Sequence, residues 1–482
     1  MTLDIPEQCV NDAYKHQIAM LMLHALEFGD GKHGTITGGP FFYWDFCYRD
    51  AAYLTASMDV AGMHDVSLLH LNTCITPRSA MPHTRWTLGQ WDDPEHDGLW
   101  MTREGQYDAM GQTLWAIYEH FKLTGDRAWL SASYDAVKRG AGWIIRAMEE
   151  EKKRLGDPNQ VGYGLLPEGL MEGAPWHHAV YFNGWAVSGL EFSSEMAAVL
   201  GKADDARRFK TEAANLRAAV RRAVRKSFVR QNLFTGYIPS SPENPQDFCA
   251  WGMSALVRGN NVLSPHEPLV DASWKYREAL ASKTGGLMDW PYIHTDWAIG
   301  YIDRGEPDRC TQLFYTYLSL ASGTLDWGEW YTLNKTFPEF DPPLVAAEAD
   351  SEMPHTSSCA DFILLLRSMM LRESDDDLHI ASAAPRKWLA PGKHYGVGSA
   401  PSHFGDVSYR ISMDSDGTSA RAEIHLRGTS KPSRLLVHFR TPTSHGVKSA
   451  KVNGKPTESF LGDCVIVPSP ADRVMVEVHL KP

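Results

Sequence analysis

The feature that most constrains the fold of this 482-residue chain is the alternation of short and long connections between predicted helices. Apolar residues recur at helical spacing up to about residue 375, and clusters of Gly, Pro and Asn separate the periodic segments. Short turns such as "TGD" (124–126) alternate with long loops rich in Gly, Pro and Trp. The pattern predicts twelve helices, over residues 6–27, 50–61, 64–73, 109–124, 127–154, 180–200, 203–228, 246–258, 270–282, 295–304, 307–321 and 356–372.

The long connections precede every even-numbered helix. Short turns join antiparallel neighbours, whereas long insertions in a compact domain usually serve function. Six helical hairpins with all long loops at one end predict a mainly α fold, an (α/α)6 toroid, with a cleft at that end. A solenoid of helix pairs would show similar repeats, and these segments do not resemble one another. The long loops span residues 28–49, 74–108, 155–179, 229–245, 283–294 and 322–355.

From about residue 378 the apolar pattern changes to period two, which is typical of strands. Segments such as "DVSYRISM" (406–413) and "VMVEVHL" (474–480) lie between turn residues, and Asn453-Gly454 predicts a type I′ hairpin. We therefore expect an (α/α)6-barrel domain over residues 1–375. A small C-terminal antiparallel β-sandwich domain is expected over residues 376–482.

Charge and cysteine content exclude several classes of partner. The chain carries 47 Lys and Arg against 59 Asp and Glu, a formal net charge of −12. Nucleic acid is not an expected partner, because phosphates need a basic footprint. The seven cysteines are scattered and never spaced as C-x-x-C, which favours buried thiols over a zinc site or a disulfide framework. No signal peptide or membrane span is visible, so we expect a cytoplasmic protein without a membrane partner. No metal or cofactor motif is visible either, and we expect neither a metal nor a cofactor. The sequence leaves the oligomeric state open.

The long loops share an unusual mixture of indoles, carboxylates, arginine and histidines. In the first of them, "GPFFYWDFCYRD" (39–50), a run of aromatic residues leads into an Arg-Asp pair. Sugar rings offer C–H faces that stack on indole, and their hydroxyls suit carboxylate, guanidinium and imidazole partners, so a carbohydrate substrate is indicated. The candidate substrate-binding residues are Tyr43, Trp44, Arg49, Asp50, Trp91, Asp108, Trp176, His177, Trp327 and His355.

Each candidate also has a structural interpretation. Asp50 and Asp108, like Asp126, stand where helix N-caps are expected. A Trp in a helix-rich protein usually belongs to the core, and a single histidine such as His294 or His355 is more often a satisfied structural residue. Recurrence of the same composition in five loops at one predicted end favours a binding site.

These motifs resemble those of the six-hairpin glycosidases, which include glucoamylases, α-L-rhamnosidases and trehalases. "YWDFCYRDAAY" resembles the Tyr/Trp…Arg-Asp-Ala element that holds the terminal sugar, which implies that role for Arg49 and Asp50. "YGLLPEG" stands where the family has its general acid, which implies Glu168. "SGTLDWGEWY" resembles the segment of the catalytic base, which implies Glu329. The helix "EGQYDAMGQTLWAIYEHFKLTGD" extends the likeness, which covers most of residues 1–375.

Two features of the chain depart from the family's usual pattern, and a third offers a second candidate for the base. Pro167 stands where a second carboxylate is expected, so Glu172 is an alternative general acid. Asp361, in "CADFILLLRS", resembles a helix carboxylate of some bacterial relatives and is an alternative catalytic base. The family's usual β-sandwich precedes the barrel, whereas the strand-rich region of this chain follows it.

The resemblance implies an inverting, exo-acting glycoside hydrolase that acts on the non-reducing end of an oligosaccharide or glycoside. Glu168 would protonate the leaving oxygen and Glu329 would activate water, with the two carboxyl groups about 6.5–9.5 Å apart. A sugar epimerase or isomerase, a polysaccharide lyase and a non-catalytic carbohydrate-binding protein stay open as alternatives. The histidines that an epimerase would use are His177, His178, His294 and His355.

Overall fold

The structure is a computed structural model that describes residues 1–40, 43, 46–76, 96–170, 176–232, 235–246, 248, 250–257, 262–281, 293–337, 344–349, 351–443 and 446–481, with only the backbone described at 250, 251, 254, 294, 333–337 and 344–349. Twelve α-helices lie in this part of the chain. They are α1 (Gln8–Leu23), α2 (Tyr48–Ala61), α3 (His64–Ile75), α4 (Asp108–Thr124), α5 (Arg127–Leu155), α6 (Val180–Val199), α7 (Ala203–Ser227), α8 (Ala250–Val257), α9 (Pro268–Leu280), α10 (Ile293–Asp303), α11 (Pro307–Leu318) and α12 (Thr356–Met370).

The even-numbered helices form a closed ring. α2 packs against α4, α4 against α6, α6 against α8, α8 against α10, α10 against α12, and α12 packs back against α2. Each odd-numbered helix packs against one or more helices of this ring, α1 against α12, α3 against α2, α5 against α4, α7 against α6, α9 against α8 and α11 against α10. This arrangement is the (α/α)6 toroid that the alternating connections predict.

Burial distinguishes the two rings, because an inner helix contacts protein on every side. Most residues of α2 and α6 are buried, 12 of 14 and 14 of 20, whereas α7 buries one apolar stripe that includes Phe209, Leu216 and Val220. The inner helices also approach closely: a Cβ at Gly111 of α4 would collide with the carbonyl of Trp185 on α6.

Within the described residues, no helix combines the length and the apolar character that a membrane crossing would need.

The inner helices α2 and α4 run in the same direction. At their N-terminal ends, Arg49 of α2 contacts Asp108 of α4. Near their C-terminal ends, Asp59 of α2 contacts His120 of α4. The toroid therefore has two distinct ends, and the long loops that precede α2 and α4 lie at the same one.

Short hairpins inside three of the long connections were not predicted. Their strands have between two and seven residues, and most are too short for an alternating pattern to emerge from the sequence. The first hairpin follows directly after α1, which ends at Leu23 and not at residue 27 as the periodicity suggested. The hairpins are β2 (Ala25–Glu27) with β3 (Gly34–Ile36), β4 (Val229–Arg230) with β5 (Gly236–Tyr237), and β6 (Tyr331–Phe337) with β7 (Leu344–Ala349).

The C-terminal region is built of strands, as the period-two pattern predicts. Asn453 and Gly454 both have positive φ, at 50° and 76°, and connect two paired strands, which confirms the type I′ turn. The strands are β8 (Leu371–Ser374), β9 (Asp377–Ile380), β10 (His394–Ala400), β11 (Asp406–Met413), β12 (Ser419–Arg427), β13 (Arg434–His438), β14 (Val447–Val452), β15 (Lys455–Thr457), β16 (Phe460–Leu461), β17 (Cys464–Pro468) and β18 (Arg473–Leu480).

These strands form two sheets. One has seven strands in the order β1-β10-β11-β12-β18-β14-β15, where β1 is Thr2–Asp4 from the start of the chain, and the other has five in the order β16-β17-β13-β9-β8. All pairings are antiparallel except that of β13 with β9, which is parallel. The sheets join the toroid through polar contacts: Arg367 of α12 donates to the carbonyl of Pro401 at 2.8 Å, and the indole of Trp388 donates to Glu7 at 2.7 Å.

Candidate active site

The candidate site lies where the loop before α2 meets the segment before α12. The backbone N–H of Thr356 donates to the carbonyl of Gly38 at 2.9 Å, and that of His355 donates to the carbonyl of Trp327 at 2.8 Å. The Ser357 hydroxyl donates to the Asp50 carboxylate of α2 at 3.2 Å. The first and last of the long loops are therefore joined at the N-terminal ends of α2 and α12.

Glu329 lies at this junction and is only partly buried. The phenol of Tyr43 donates to Glu329 Oε2 at 2.7 Å, and the backbone N–H of Glu329 donates to the hydroxyl of Ser351 at 2.7 Å. The structure thus brings together the predicted catalytic base and a predicted substrate-binding residue that are 286 positions apart in the sequence. Tyr43 orients the Glu329 carboxylate from one side, and part of Glu329 is exposed to solvent.

Two further residues hold Tyr43. Its backbone N–H donates to the buried Glu352 carboxylate at 3.3 Å, and its ring meets the ring of His355 edge-on at 5.9 Å between centroids. Glu352 packs against Gly39, where a Cβ would collide with its carboxylate. Glu352 was not among the predicted site residues, because a glutamate in "EADSEMPH" carries no local signal that it turns back toward residue 43.

His355 is buried at the start of α12, and burial lowers its pKa to about 3. The imidazole is therefore neutral at neutral pH. The Ser358 hydroxyl donates to the carbonyl of Gly328 at 2.9 Å, so the 2.8 Å contact between His355 Nδ1 and Ser358 Oγ has the imidazole as its donor. His355 is therefore a buried, hydrogen-bonded residue beside Tyr43, as the structural interpretation expects.

Arg49 and Asp108 form a buried bidentate pair. Arg49 Nε donates to Asp108 Oδ2 at 2.6 Å and Nη2 donates to Oδ1 at 3.0 Å. The resemblance had implied that Arg49 and Asp50 hold a sugar together. In the structure Arg49 pairs with Asp108, whose side chain has no exposed surface, and Asp50 is the partly exposed residue of the three.

The N-cap interpretation holds for one of the three aspartates. Asp126 accepts a hydrogen bond from the backbone N–H of Trp129 at 2.8 Å and caps α5. Asp50 instead lies in the first turn of α2, whose N-cap is Cys47, and Asp108 is the first residue of α4. Neither aspartate is the N-cap residue of its helix.

The predicted substrate-binding residue Trp327 lies in the core instead, where its indole is not accessible to a ligand. It has no exposed surface and stacks between Tyr317, at 5.1 Å, and Phe362, at 5.0 Å. Asp361 is also buried, within α12. Burial, with a contribution from the Asp361 charge, raises the pKa of Tyr317 well above its ordinary value.

The loop before α6 packs against the loop before α4. The backbone N–H of Leu170 donates to the carbonyl of Gly105 at 3.1 Å, and Gly169 pairs with His177 in an isolated bridge. Trp176 is 47% exposed and its ring lies beside Gly105. This indole is thus accessible to a ligand, while the imidazole of His177 is buried and has no hydrogen-bond partner among the described residues.

Glu168 lies in the same loop. Its side chain is 43% exposed, and Arg154 Nη2 donates to its Oε1 at 3.1 Å. The environment differs from the enclosed, aromatic-lined one that favours a protonated carboxyl group. Trp44, Trp91 and the alternative acid Glu172 lie outside the described residues, as does the side chain of His294.

A second arrangement in this loop was not predicted. The buried imidazole of His178 lies between two carboxylates, with Nδ1 at 2.7 Å from Glu243 and Nε2 at 2.7 Å from Glu151. Burial lowers the pKa of His178, but the hydrogen bonds and charges of Glu243 and Glu151 outweigh it, so the pKa is raised above its ordinary value. Arg154 links Glu151 to Glu168. His178 therefore anchors the loop that carries Glu168, and no local motif could have predicted partners so distant in sequence.

The closed ring of inner helices, with a carboxylate-rich site at their N-terminal ends, defines a six-hairpin glycosidase-like fold, and similar solved structures confirm it. The first is an α-L-rhamnosidase from Dictyoglumus thermophilum, with a TM-score of 0.60 and 11% identity over 99% of this chain and 50% of that one. A GH78-family rhamnosidase of Bacillus sp. GL1 has a TM-score of 0.56 and 13% identity over 86% of this chain and 40% of that one. A bacterial glucoamylase complexed with acarbose has a TM-score of 0.52 and 14% identity over 74% of this chain and 55% of that one.

The present chain spans about half or less of the two rhamnosidase chains. No family model matches the sequence, and no curated protein sequence matches it. At these low identities the likeness establishes the fold, and the activity has to be argued from the site itself.

Proposed function

We propose that this protein is an inverting, exo-acting glycoside hydrolase with Glu329 as its general base. The observation that carries the proposal is the Tyr43–Glu329 hydrogen bond at the joined N-terminal ends of α2 and α12. A carboxylate has about four lone-pair sites, so Glu329 can accept from Tyr43 and from a water molecule at the same time. The partly exposed Asp50, which lies at this junction, is suited to accept hydrogen bonds from sugar hydroxyls.

We assign the general acid to the loop before α6, with Glu168 as the first candidate and Glu172 as the alternative. Exposed Trp176, in the same loop, offers an indole face on which a sugar can stack. For Glu168 to act as the acid, its ion pair with Arg154 has to open when the substrate binds, because a general acid must carry a proton. In an inverting enzyme the acid and the base lie about 6.5–9.5 Å apart, which leaves room for the attacking water.

The function is tested by offering the full chain a panel of aryl glycosides that begins with α-L-rhamnosides and α-glucosides, the classes suggested by the similar structures. We expect release of a monosaccharide whose anomeric configuration, followed by proton NMR in the first minutes, is opposite to that of the substrate. A retained anomer would contradict inversion. An interconverted monosaccharide would indicate an epimerase, an unsaturated product a lyase, and binding without turnover a carbohydrate-binding protein; each would overturn the proposal.

The choice of acid is tested by the leaving group. Glu168→Gln is expected to slow hydrolysis of an alkyl glycoside by about 10²–10⁴-fold, because the departing alkoxide needs a proton. The same variant should hydrolyse a dinitrophenyl glycoside at nearly the normal rate, since that leaving group departs without protonation. Rates of both substrates are measured for Glu168→Gln and Glu172→Gln side by side. If only Glu172→Gln shows this dependence on the leaving group, the acid is Glu172 and Glu168 only pairs with Arg154.

A further inference from the structure

A cluster of three metal-ligand side chains lies at the other end of the toroid. Asp59 belongs to the last turn of α2, His64 begins α3, and His120 lies near the end of α4. One ligand atom from each residue lies within 4.8 Å of the others. Asp59 follows Arg49 by ten residues, which is about 15 Å along the helix, so the cluster is remote from the candidate active site.

The charge of Asp59 needs compensation. Its side chain has no exposed surface, and burying an unpaired carboxylate costs several kcal/mol. Throughout the described part of the chain, its only side-chain partners are His64 Nδ1, at 2.9 Å, and His120 Nδ1, and neither Lys nor Arg pairs with it. The compensating positive charge has to come from these histidines or from a bound cation.

The positions of the imidazoles fit a shared cation. His120 Nδ1 lies 3.0 Å from both oxygens of Asp59, so the ring nitrogen faces the middle of the carboxylate. Its ring is fixed edge-on against Trp129 at 4.7 Å between centroids. His64 is held by the sharp turn at Gly62, which has a φ of 87°. The three donors are therefore positioned by rigid elements.

We propose that Asp59, His64 and His120 bind one divalent transition-metal ion, with Zn²⁺ as the first candidate. Two imidazole nitrogens and a carboxylate oxygen are a donor set that zinc accepts, and three protein ligands leave a fourth position for water. The His64 side chain is 31% exposed, which gives solvent access on that side. The ion would connect α2, α3 and α4 and stabilise this end of the toroid, since a ligand that binds only the folded state raises its stability.

The test uses the full chain, freed of metal with a chelator and dialysed. Addition of Co²⁺ alone should produce the visible absorption of a low-coordinate cobalt site, and addition of Zn²⁺ alone should abolish that absorption and raise Tm. His64→Ala removes a partly exposed ligand, and we expect it to weaken Zn²⁺ binding by more than about tenfold in calorimetry. His33→Ala is the matched control, because it removes the imidazole of a partly exposed Asp30–His33 pair away from the cluster.

The control variant should bind Zn²⁺ like the unchanged protein. Absence of both the cobalt absorption and the Zn²⁺-dependent rise in Tm in the unchanged protein would overturn the proposal and leave a hydrogen-bonded His-Asp-His triad. A shift in Tm that persists in His64→Ala but disappears in His33→Ala would place the metal elsewhere and overturn it equally. If a variant does not fold, absence of the cobalt absorption in the unchanged protein still overturns the proposal.

Discussion

Replacement of Glu329 by Gln is expected to lower kcat for glycoside hydrolysis by about 10²–10⁴-fold, because an amide cannot take the proton of the attacking water. Gln has nearly the same shape, and its carbonyl oxygen can still accept the hydrogen bond from Tyr43. The fold should therefore be preserved, with an unchanged circular dichroism spectrum and Tm. Equal losses in kcat and in kcat/KM would show that the lost interaction acts in the transition state.

Three companion variants define the role of Glu329. Glu104→Gln changes an exposed carboxylate in another loop at the same end, and its kcat should be close to that of the unchanged enzyme. Tyr43→Phe removes the hydroxyl that orients Glu329, and an intermediate loss of kcat is expected. Near-normal turnover of Glu329→Gln together with an inactive Glu352→Gln would reject our assignment and transfer the base to Glu352.

Replacement of Asp108 by Ala should destabilise the protein by about 3–5 kcal/mol, because it leaves the guanidinium of Arg49 buried without its bidentate partner. The pair joins the first turns of two neighbouring inner helices, so the loss should appear as a lower midpoint of urea unfolding of the whole chain. The slope of the transition should stay the same if the folded and unfolded states expose similar surface.

Removal of both charges separates a structural role of this pair from a role in substrate binding. In Arg49→Met with Asp108→Leu, apolar side chains replace the ion pair, and stability should return to near its original value. If the stable double variant no longer binds the glycoside, the pair also serves the substrate. Asp204→Ala, which breaks an exposed Arg207–Asp204 pair, should leave stability nearly unchanged. An unfolding midpoint of Asp108→Ala equal to that of this control would contradict the structural role.

The sequence was sufficient to predict the toroid because the relevant information is local. Helical periodicity and glycine-rich turns can be read within short segments of the sequence. The alternation of connection lengths then follows from the order of these segments along the chain. The hairpin at Asn453-Gly454 was predictable for the same reason, since both residues readily adopt positive φ. The hairpin of β6 with β7 was missed because a long loop rich in indoles and carboxylates does not show strand alternation clearly.

The site was less predictable, because its contacts join distant segments. The sequence shows that Arg49 and Asp50 are neighbours along the chain. It could not indicate that Arg49 pairs with Asp108, 59 residues away. The composition of a loop also cannot distinguish an exposed indole from a buried one, and so Trp176 and Trp327 were assigned the same role. Their surroundings, which depend on tertiary packing, make one accessible and the other part of the core.

The pairing of β1 with β10 has a consequence for the order in which the molecule is completed. Thr2 contacts Gly398, 396 positions later, so residues 2–4 are synthesised long before the strand that receives them. Glu7 likewise accepts a hydrogen bond from the indole of Trp388, which is synthesised much later. Contacts of such sequence separation form slowly, and we therefore expect the edge of the seven-stranded sheet to close late, after the inner ring of helices has assembled. Residues 2–4 would then be among the last parts of this chain to reach their final place.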